Sequence, residues 1–298
     1  MGIDNIANPQ PTIKEPRPDI EVLTLQTLRD LRLPWLSKFD HASLAGYISE
    51  NPGLSLRVST GNEYILGEKW RGRTDIANIV EIAARRNKRA LVEEWVERLS
   101  RDKGVALLLV NQEAWHEDSR LFEQLGFSLI EKIIFLERGL PSHFDWQAYS
   151  AEQGLPVLSF ERATVADVDP LLLVDHQSFP WLWWNSRDEL GTYMSMPDVH
   201  VFLAKLANEP IGYASFTMYS GWAHLDRLAV EQGVQGRGYG AAQLAHALGT
   251  MIVLGARSVS LSTQEHNTQS QRLYSRFGFR IGRDAMGLYG RALRELMT

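Results

Sequence analysis

From about residue 158 the chain alternates short apolar runs of strand rhythm with longer stretches of helical rhythm. The pattern predicts strands at 158–161, 199–206, 211–218, 223–230 and 258–262. Helices are expected at 166–176, 187–194, 238–254 and 268–277, with a terminal pair of short strands after them. This alternation is that of a mixed α/β (α+β) fold. The first half of the chain has a similar order of elements, including a sheet-like stretch at 133–136. Residues 1–20, rich in Pro and polar groups, predict a loose arm. The stretch from Leu140-Pro141-Ser142-His143 to Gly154-Leu155-Pro156 reads as a connector. The expected division is therefore an arm at 1–20, a domain at 21–139, a linker at 140–155 and a second domain at 156–298.

Composition narrows the chemistry. With 298 residues and 44% hydrophobic content the chain can bury one large core or two moderate ones. The net charge of −5 is spread over both halves, and neither has the basic excess of a nucleic-acid binder. No apolar run is long enough to span a bilayer, and the N-terminus lacks a signal-peptide pattern, so the expectation is a cytoplasmic protein without membrane or nucleic-acid partners. There is no cysteine, and the eight histidines show no HExxH-type pairing. Thiol and metal chemistry are not expected.

The densest chemical signal runs from Leu228-Ala229-Val230 through Gln235-Gly236-Arg237-Gly238-Tyr239-Gly240. Alternate glycines between a strand and a helix let successive N–H groups converge where the helix dipole is positive, which suits a pyrophosphate. The same pattern could be a plain strand-to-helix turn. It is neither a dinucleotide fingerprint nor a Walker loop, since the spacing and the Gly-Lys-Ser/Thr ending are absent.

This stretch resembles the phosphate-binding signature of the GNAT superfamily of acetyl-CoA-dependent N-acetyltransferases. Gln235, Gly238 and Gly240 fill its fixed positions, and Leu228-Ala229-Val230 match the strand that precedes it. Gln232 replaces the family's common proline. A second motif, Asn267-Thr268-Gln269-Ser270-Gln271-Arg272-Leu273-Tyr274-Ser275-Arg276-Phe277-Gly278-Phe279, agrees at every fixed position. The resemblance implies a mostly antiparallel central sheet flanked by helices, present in two tandem copies. It implies acetyl-CoA as acyl donor, with the backbone of Leu228 and Val230 beside the pantetheine and the amides of Gln235–Gly240 on the pyrophosphate. Asn267 and Ser270 belong to the same cofactor region, and Tyr274 becomes the acid that protonates the departing thiolate.

Acyl transfer to an amine also needs a proton acceptor. His224 and Asp226 are two apart on a strand, where they would share a face, and His224 occupies a position at which several family members carry their base. The alternative is a packed histidine with a structural aspartate partner. Ser262 stands where ribosomal-protein acetyltransferases of this superfamily carry a glutamate. In the loop between the first two helices, which the resemblance implies walls the acceptor pocket, Phe179, Trp181, Trp183 and Trp184 could form an aromatic slot or plug an interdomain space.

The first half looks like a worn copy. Leu121-Phe122-Glu123-Gln124-Leu125-Gly126-Phe127 echoes the second motif, but Phe122 lacks the tyrosine hydroxyl and Trp115 stands in the asparagine place. Arg85-Arg86-Asn87-Lys88-Arg89 replaces the glycine seat, which argues against an amide nest there and for a structural or lid-like domain. Mycothiol synthases have a comparable tandem architecture with one active half. Two functions follow: an N-acetyltransferase acting on a primary amine of a small molecule or peptide, or a non-catalytic acetyl-CoA-binding regulatory or scaffold protein. Either leaves a homodimer open, and the second half by itself is expected to bind one acetyl-CoA.

Overall fold

One ten-element sequence occurs twice along the chain, in a computed structural model that describes residues 17–35, 37–113 and 119–295. The first pass is β1 (Ile20–Val22), α1 (Leu25–Leu28), α2 (His41–Glu50), β2 (Leu56–Val58), β3 (Tyr64–Lys69), β4 (Ile76–Ala83), α3 (Lys88–Arg101), β5 (Leu107–Glu113), α4 (Ser119–Gln124) and β6 (Ser128–Gly139). After α5 (Trp146–Glu152) the order recurs as β7 (Ser159–Arg162), α6 (Val168–Ser178), α7 (Arg187–Ser195), β8 (Val199–Leu206), β9 (Glu209–Tyr219), β10 (Trp222–Val230), α8 (Tyr239–Val253), β11 (Ser258–Gln264), α9 (Thr268–Arg276) and β12 (Arg280–Ala292). The expected arm falls mostly on residues 1–16, outside the described residues, and Trp115 lies outside them too.

Packing divides the chain at places other than the expected break at 140–155. One unit holds Met1–Leu66 with Glu81–Arg98, the other Gly67–Val80 with Leu99–Thr298. In the first unit β1 pairs antiparallel with β2 and β2 with β3. Leu23, Leu28, Leu44, Ile48, Tyr64 and Leu66 form its core.

In the second unit the strands run in the order β4-β5-β12-β6-β11-β10-β9-β8-β7. Only β4/β5 and β10/β11 are parallel; the remaining pairs are antiparallel. The two terminal strands have changed places. β6, which closes the first pass, pairs with β11, while β12, which closes the second, pairs with β5. That exchange is why the boundary does not follow the repeat. Residues 140–155 are likewise no bare connector, because α5 sits there, capped by Asp145 and with Trp146 edge-on to His246 of α8 at 5.0 Å.

One face of this sheet is covered by α8 and α9 over Ile134, Leu136, Phe216, Leu225, Val259 and Leu261. The other is covered by α6 and α7 over Val199, Val201, Leu203 and Tyr213. All nine strands and helices predicted between 158 and 277 lie within about two residues of their observed bounds. The expected terminal pair of strands is one strand, β12: Gly282-Arg283-Asp284, a turn by composition, is absorbed as a bulge where the register jumps from Ile281↔Leu136 to Ala285↔Ile134. Among the described residues no helix is long and apolar enough to cross a membrane.

Candidate active site

β10 and β11 begin as a parallel pair and then part. Their pairing covers Trp222↔Ser258 to Leu225↔Leu261 and stops, although β10 continues to Val230 and β11 to Gln264. The separation starts at a bulge: opposite β9 the register passes from Leu225↔Phe216 to Arg227↔Ser215, leaving Asp226 as the extra residue. Beyond it, the Glu231 N–H bonds the Ile211 carbonyl on β9 at 2.8 Å. Strand alternation therefore turns the backbone of Leu228 and Val230 toward the gap. A cleft of about 480 Å³ occupies this gap, walled by Leu225–Leu228 on one side and Ser262–Gln264 on the other.

One end of the cleft reaches the glycine turn. Gly236 (φ 77°) and Gly238 (φ 86°) adopt left-handed conformations that other residues enter only with strain. Gln235 locks the turn by donating from Nε2 to the Val230 carbonyl at 2.9 Å. Among the described residues the N–H groups from Gly236 to Gly240 have no acceptor, and they open the 15-residue helix α8. Free amides, positive helix end and absent side chains together fit a pyrophosphate.

Asn267 caps α9 by accepting the Ser270 N–H at 3.1 Å and also lines the cleft, as does Tyr274 one helical face on. Tyr274 is buried, and its hydroxyl has no hydrogen-bond partner among the described residues. Burial raises its pKa well above the usual phenol range, so it stays protonated. Asp226 lines the cleft and accepts from Tyr193 Oη (2.6 Å) and Thr217 Oγ1 (2.8 Å); burial raises its pKa against those donors. His224 does not line the cleft. Its Nδ1 is 2.8 Å from Ser260 Oγ on β11, and burial lowers its pKa below the usual imidazole value.

The aromatic loop divides. Phe179 and Trp183 line the cleft, and Trp181 and Trp184 do not. Trp181 lies under Arg73 at 4.2 Å and packs with Leu182 and Trp183 on Trp70, Ile76, Leu107, Leu109 and Leu288. Trp184 stacks on His176 at 4.5 Å. The tip between β3 and β4 braces this loop: Trp70 Nε1 donates to the Leu182 carbonyl at 2.8 Å and Arg73 Nη1 to that of Trp181. Beneath it lies a buried charge cluster. Asp175 accepts from Tyr213 Oη (2.6 Å) and the Asn185 N–H (3.0 Å), and Arg227 Nη2 lies 3.5 Å from it.

In the first unit the place of the glycine turn is already filled. The N–H groups of Arg85 and Arg86 donate to Glu63 Oε1 at 2.7 and 2.8 Å, and that of Asn87 to Oε2 at 3.2 Å. The expectation that non-glycine residues would preclude a nest needs correcting. Successive amides converge ahead of α3 without left-handed residues, and the anion they hold is the chain's own carboxylate. Phe122 is fully buried against Phe127, ring centroids 5.7 Å apart.

The model of the Acetyltransferase (GNAT) family matches residues 168–279, the stretch carrying the splayed strands, the glycine turn and Tyr274. Residues 168–279 carry the match to the GNAT acetyltransferase domain. No curated protein matches the sequence. Solved structures share the fold: a GCN5-related N-acetyltransferase from Sphaerobacter thermophilus is similar at 16% identity and TM-score 0.59, over 87% of this chain and 88% of that one. One from Kribbella flavida is similar at 14% and 0.61, over 92% and 72%. A tandem GNAT protein from the clavulanic acid biosynthesis pathway is similar at 14% and 0.58, over 94% and 100%.

Two cleft residues that no motif announces come from outside the GNAT domain. Glu131, on the exchanged strand β6, is largely buried, and burial raises its pKa. The Trp183 indole N–H approaches it without reaching hydrogen-bond geometry. Arg71 enters from the β3–β4 tip. Arg227 was open to view beside Asp226, but its buried partner Asp175 looks like any acid on a helix.

Proposed function

We propose that the protein transfers an acetyl group from acetyl-CoA to a primary amine of a small molecule or peptide. The observation that carries this reading is the parting of β10 from β11, which leads from the free amides at the head of α8 to the buried Tyr274 hydroxyl. In this reading Leu228 and Val230 offer backbone groups to the pantetheine, and the amides from Gly236 to Gly240 hold the pyrophosphate, the Gln235 N–H being given to the Gln232 carbonyl. Asn267 orders the adjoining helix.

The amine nitrogen attacks the thioester carbonyl, the C–S bond breaks, and Tyr274 gives its proton to the departing sulfur. The amine proton leaves toward the carboxylates at the other end of the cleft. Glu131 is the better placed of the two, since Asp226 is already held by two hydroxyls, whereas the Glu131 carboxylate meets only the exposed His266, Nδ1 to Oε2 at 3.2 Å. His224, bonded to Ser260 behind the cleft, supports the strand. Phe179 and Trp183 wall the acceptor, with Trp181 and Trp184 fixing their loop.

Titration calorimetry with acetyl-CoA and an acceptor-library assay following thiol release test the reading. One site per chain and release with an amine are expected. Binding without release for any amine would instead make the protein a non-catalytic acetyl-CoA sensor or scaffold.

A further inference from the structure

We propose that the acceptor amine carries a carboxylate and that Arg71 binds it; this deepens the acyl-transfer reading and rests on it. Arg71 lines the same cleft as Phe179 and Trp183, with its guanidinium 5.4 Å from the Trp183 ring centroid. Its guanidinium makes one hydrogen bond, Nη1 to the neutral Asn185 Oδ1 at 2.8 Å, and its buried Nε has no partner. Among the described residues no carboxylate forms an ion pair with it. The nearby Asp175 is committed to Tyr213, Asn185 and Arg227. Two largely buried guanidinium groups thus share one buried carboxylate, the exposed Glu189 adds only a weaker attraction, and the surplus charge belongs to Arg71.

That arrangement is costly, since the desolvation of a cation with no carboxylate bonded to it is repaid only in part by the Asn185 bond, the two indole rings and the more distant Asp175 and Glu189 charges. Burial and the Arg227 charge push the Arg71 pKa down to about 9, in line with that cost. The backbone is strained as well. Arg71 has φ 53°, a left-handed conformation unusual for arginine, and Gly72 follows at φ 67°. The turn is pinned by the Ser186 N–H donating to the Arg71 carbonyl at 3.2 Å, and a Cβ on Gly72 would lie 2.4 Å from Ser186 Oγ. The guanidinium lies 5.6 and 5.4 Å from the ring centroids of Trp70 and Trp183, which themselves meet edge to face at 5.6 Å.

A chain that maintains an unpaired, preorganised guanidinium at the acceptor end of its cleft is built to receive an anion there. A single negative charge matches the single surplus, and Glu131 and Asp226 in the same cleft disfavour a dianion such as phosphate. Trp183 touches both Arg71 and the surroundings of Glu131, so a carboxylate on Arg71 would leave an amine a few bonds away facing Glu131. Amino acids and peptides with a nearby carboxylate have that shape.

The test uses the full chain and matched acceptors in the thiol-release assay: amino acids against the amines that remain when their carboxyl groups are removed. The wild type should favour the carboxylated member of each pair by about 10- to 100-fold in kcat/KM, the range of a charge-assisted hydrogen bond. In Arg71→Gln that ratio should fall toward one, and Arg71→Lys should restore part of it. Circular dichroism and a cooperative thermal transition check that the variants are folded, and their acetyl-CoA affinity should be unchanged. Equal use of both members by the wild type, or a preference that survives in Arg71→Gln, overturns the proposal. A loss of acetyl-CoA affinity in otherwise folded Arg71→Gln and Arg71→Lys also overturns it, by placing Arg71 on the donor. Absence of thiol release with either member marks failure of the acyl-transfer reading itself.

Discussion

Glu63→Gln removes the anion from the amide nest of the first unit while keeping its shape. The carboxylate accepts the N–H groups of Arg85 and Arg86 on Oε1, and the Asn87 N–H and side-chain amide on Oε2. A glutamine can put its carbonyl at the first position, but its NH2 then faces the two Asn87 donors. Two of four bonds are lost. At about 1 kcal/mol each, discounted for the partly exposed site, the nest should loosen by about 2 kcal/mol, or about 30-fold in local opening. Hydrogen exchange of the amides at 85–87 should show that loss of protection at neutral pH. Those hydrogen bonds lower the Glu63 pKa from its ordinary 4.5 in spite of opposing burial. A carboxylate with a lowered folded-state pKa contributes fully above the ordinary value and loses its contribution as pH falls through the folded one. Urea midpoints of wild type and variant should therefore differ at pH 7 and converge below about pH 4.5. Equal protection at 85–87, or a difference that persists in acid, would refute this account of the nest. Because Glu63 fills it, acetyl-CoA should bind at one site per chain.

Tyr274→Phe removes a hydroxyl with no partner among the described residues, so stability and acetyl-CoA affinity should hardly change while kcat falls by about 10²- to 10⁴-fold; full turnover would dismiss Tyr274 as the acid. Gly238→Val places a branched side chain at φ 86°, with its Cβ 3.0 Å from Pro156 Cδ. Strain of about 1–2 kcal/mol and acetyl-CoA binding weakened at least about tenfold are expected, and calorimetry showing wild-type affinity in a folded variant would remove the pyrophosphate assignment. The strand exchange reverses the expectation that the second half binds acetyl-CoA by itself. A fragment of residues 140–298 lacks β6 and should aggregate through the exposed edges of β11 and β12, whereas a soluble, acetyl-CoA-binding monomer would contradict the sheet order.

What the sequence disclosed was mostly local. The strands and helices of the second half follow from apolar rhythm, and the glycine turn and the Asn267–Phe279 helix follow from residue types at fixed spacing. Contacts between distant segments were hidden. Nothing near Glu131 says that its strand lies between β11 and β12, nothing near Arg71 announces Trp183, and Glu63 lies 22 residues from the first amide it caps. The bulge at Asp226 also had no local mark: His-x-Asp reads as plain alternation until the register with β9 is known. Composition misled at Gly282-Arg283-Asp284, because the same residues suit a turn and a bulge.

The exchanged terminal strands bear on how such a chain can change over generations. Once each copy of a duplicated gene supplies the other with its last strand, neither can be deleted or recombined away without opening the sheet. The first copy can then lose its tyrosine and fill its own phosphate seat while selection still retains it for the strand it lends. Under that protection it is free to acquire new duties at its partner's cleft, and Glu131 and Arg71 stand where such duties would arise. A worn copy held in place by its neighbour's architecture becomes raw material for specificity.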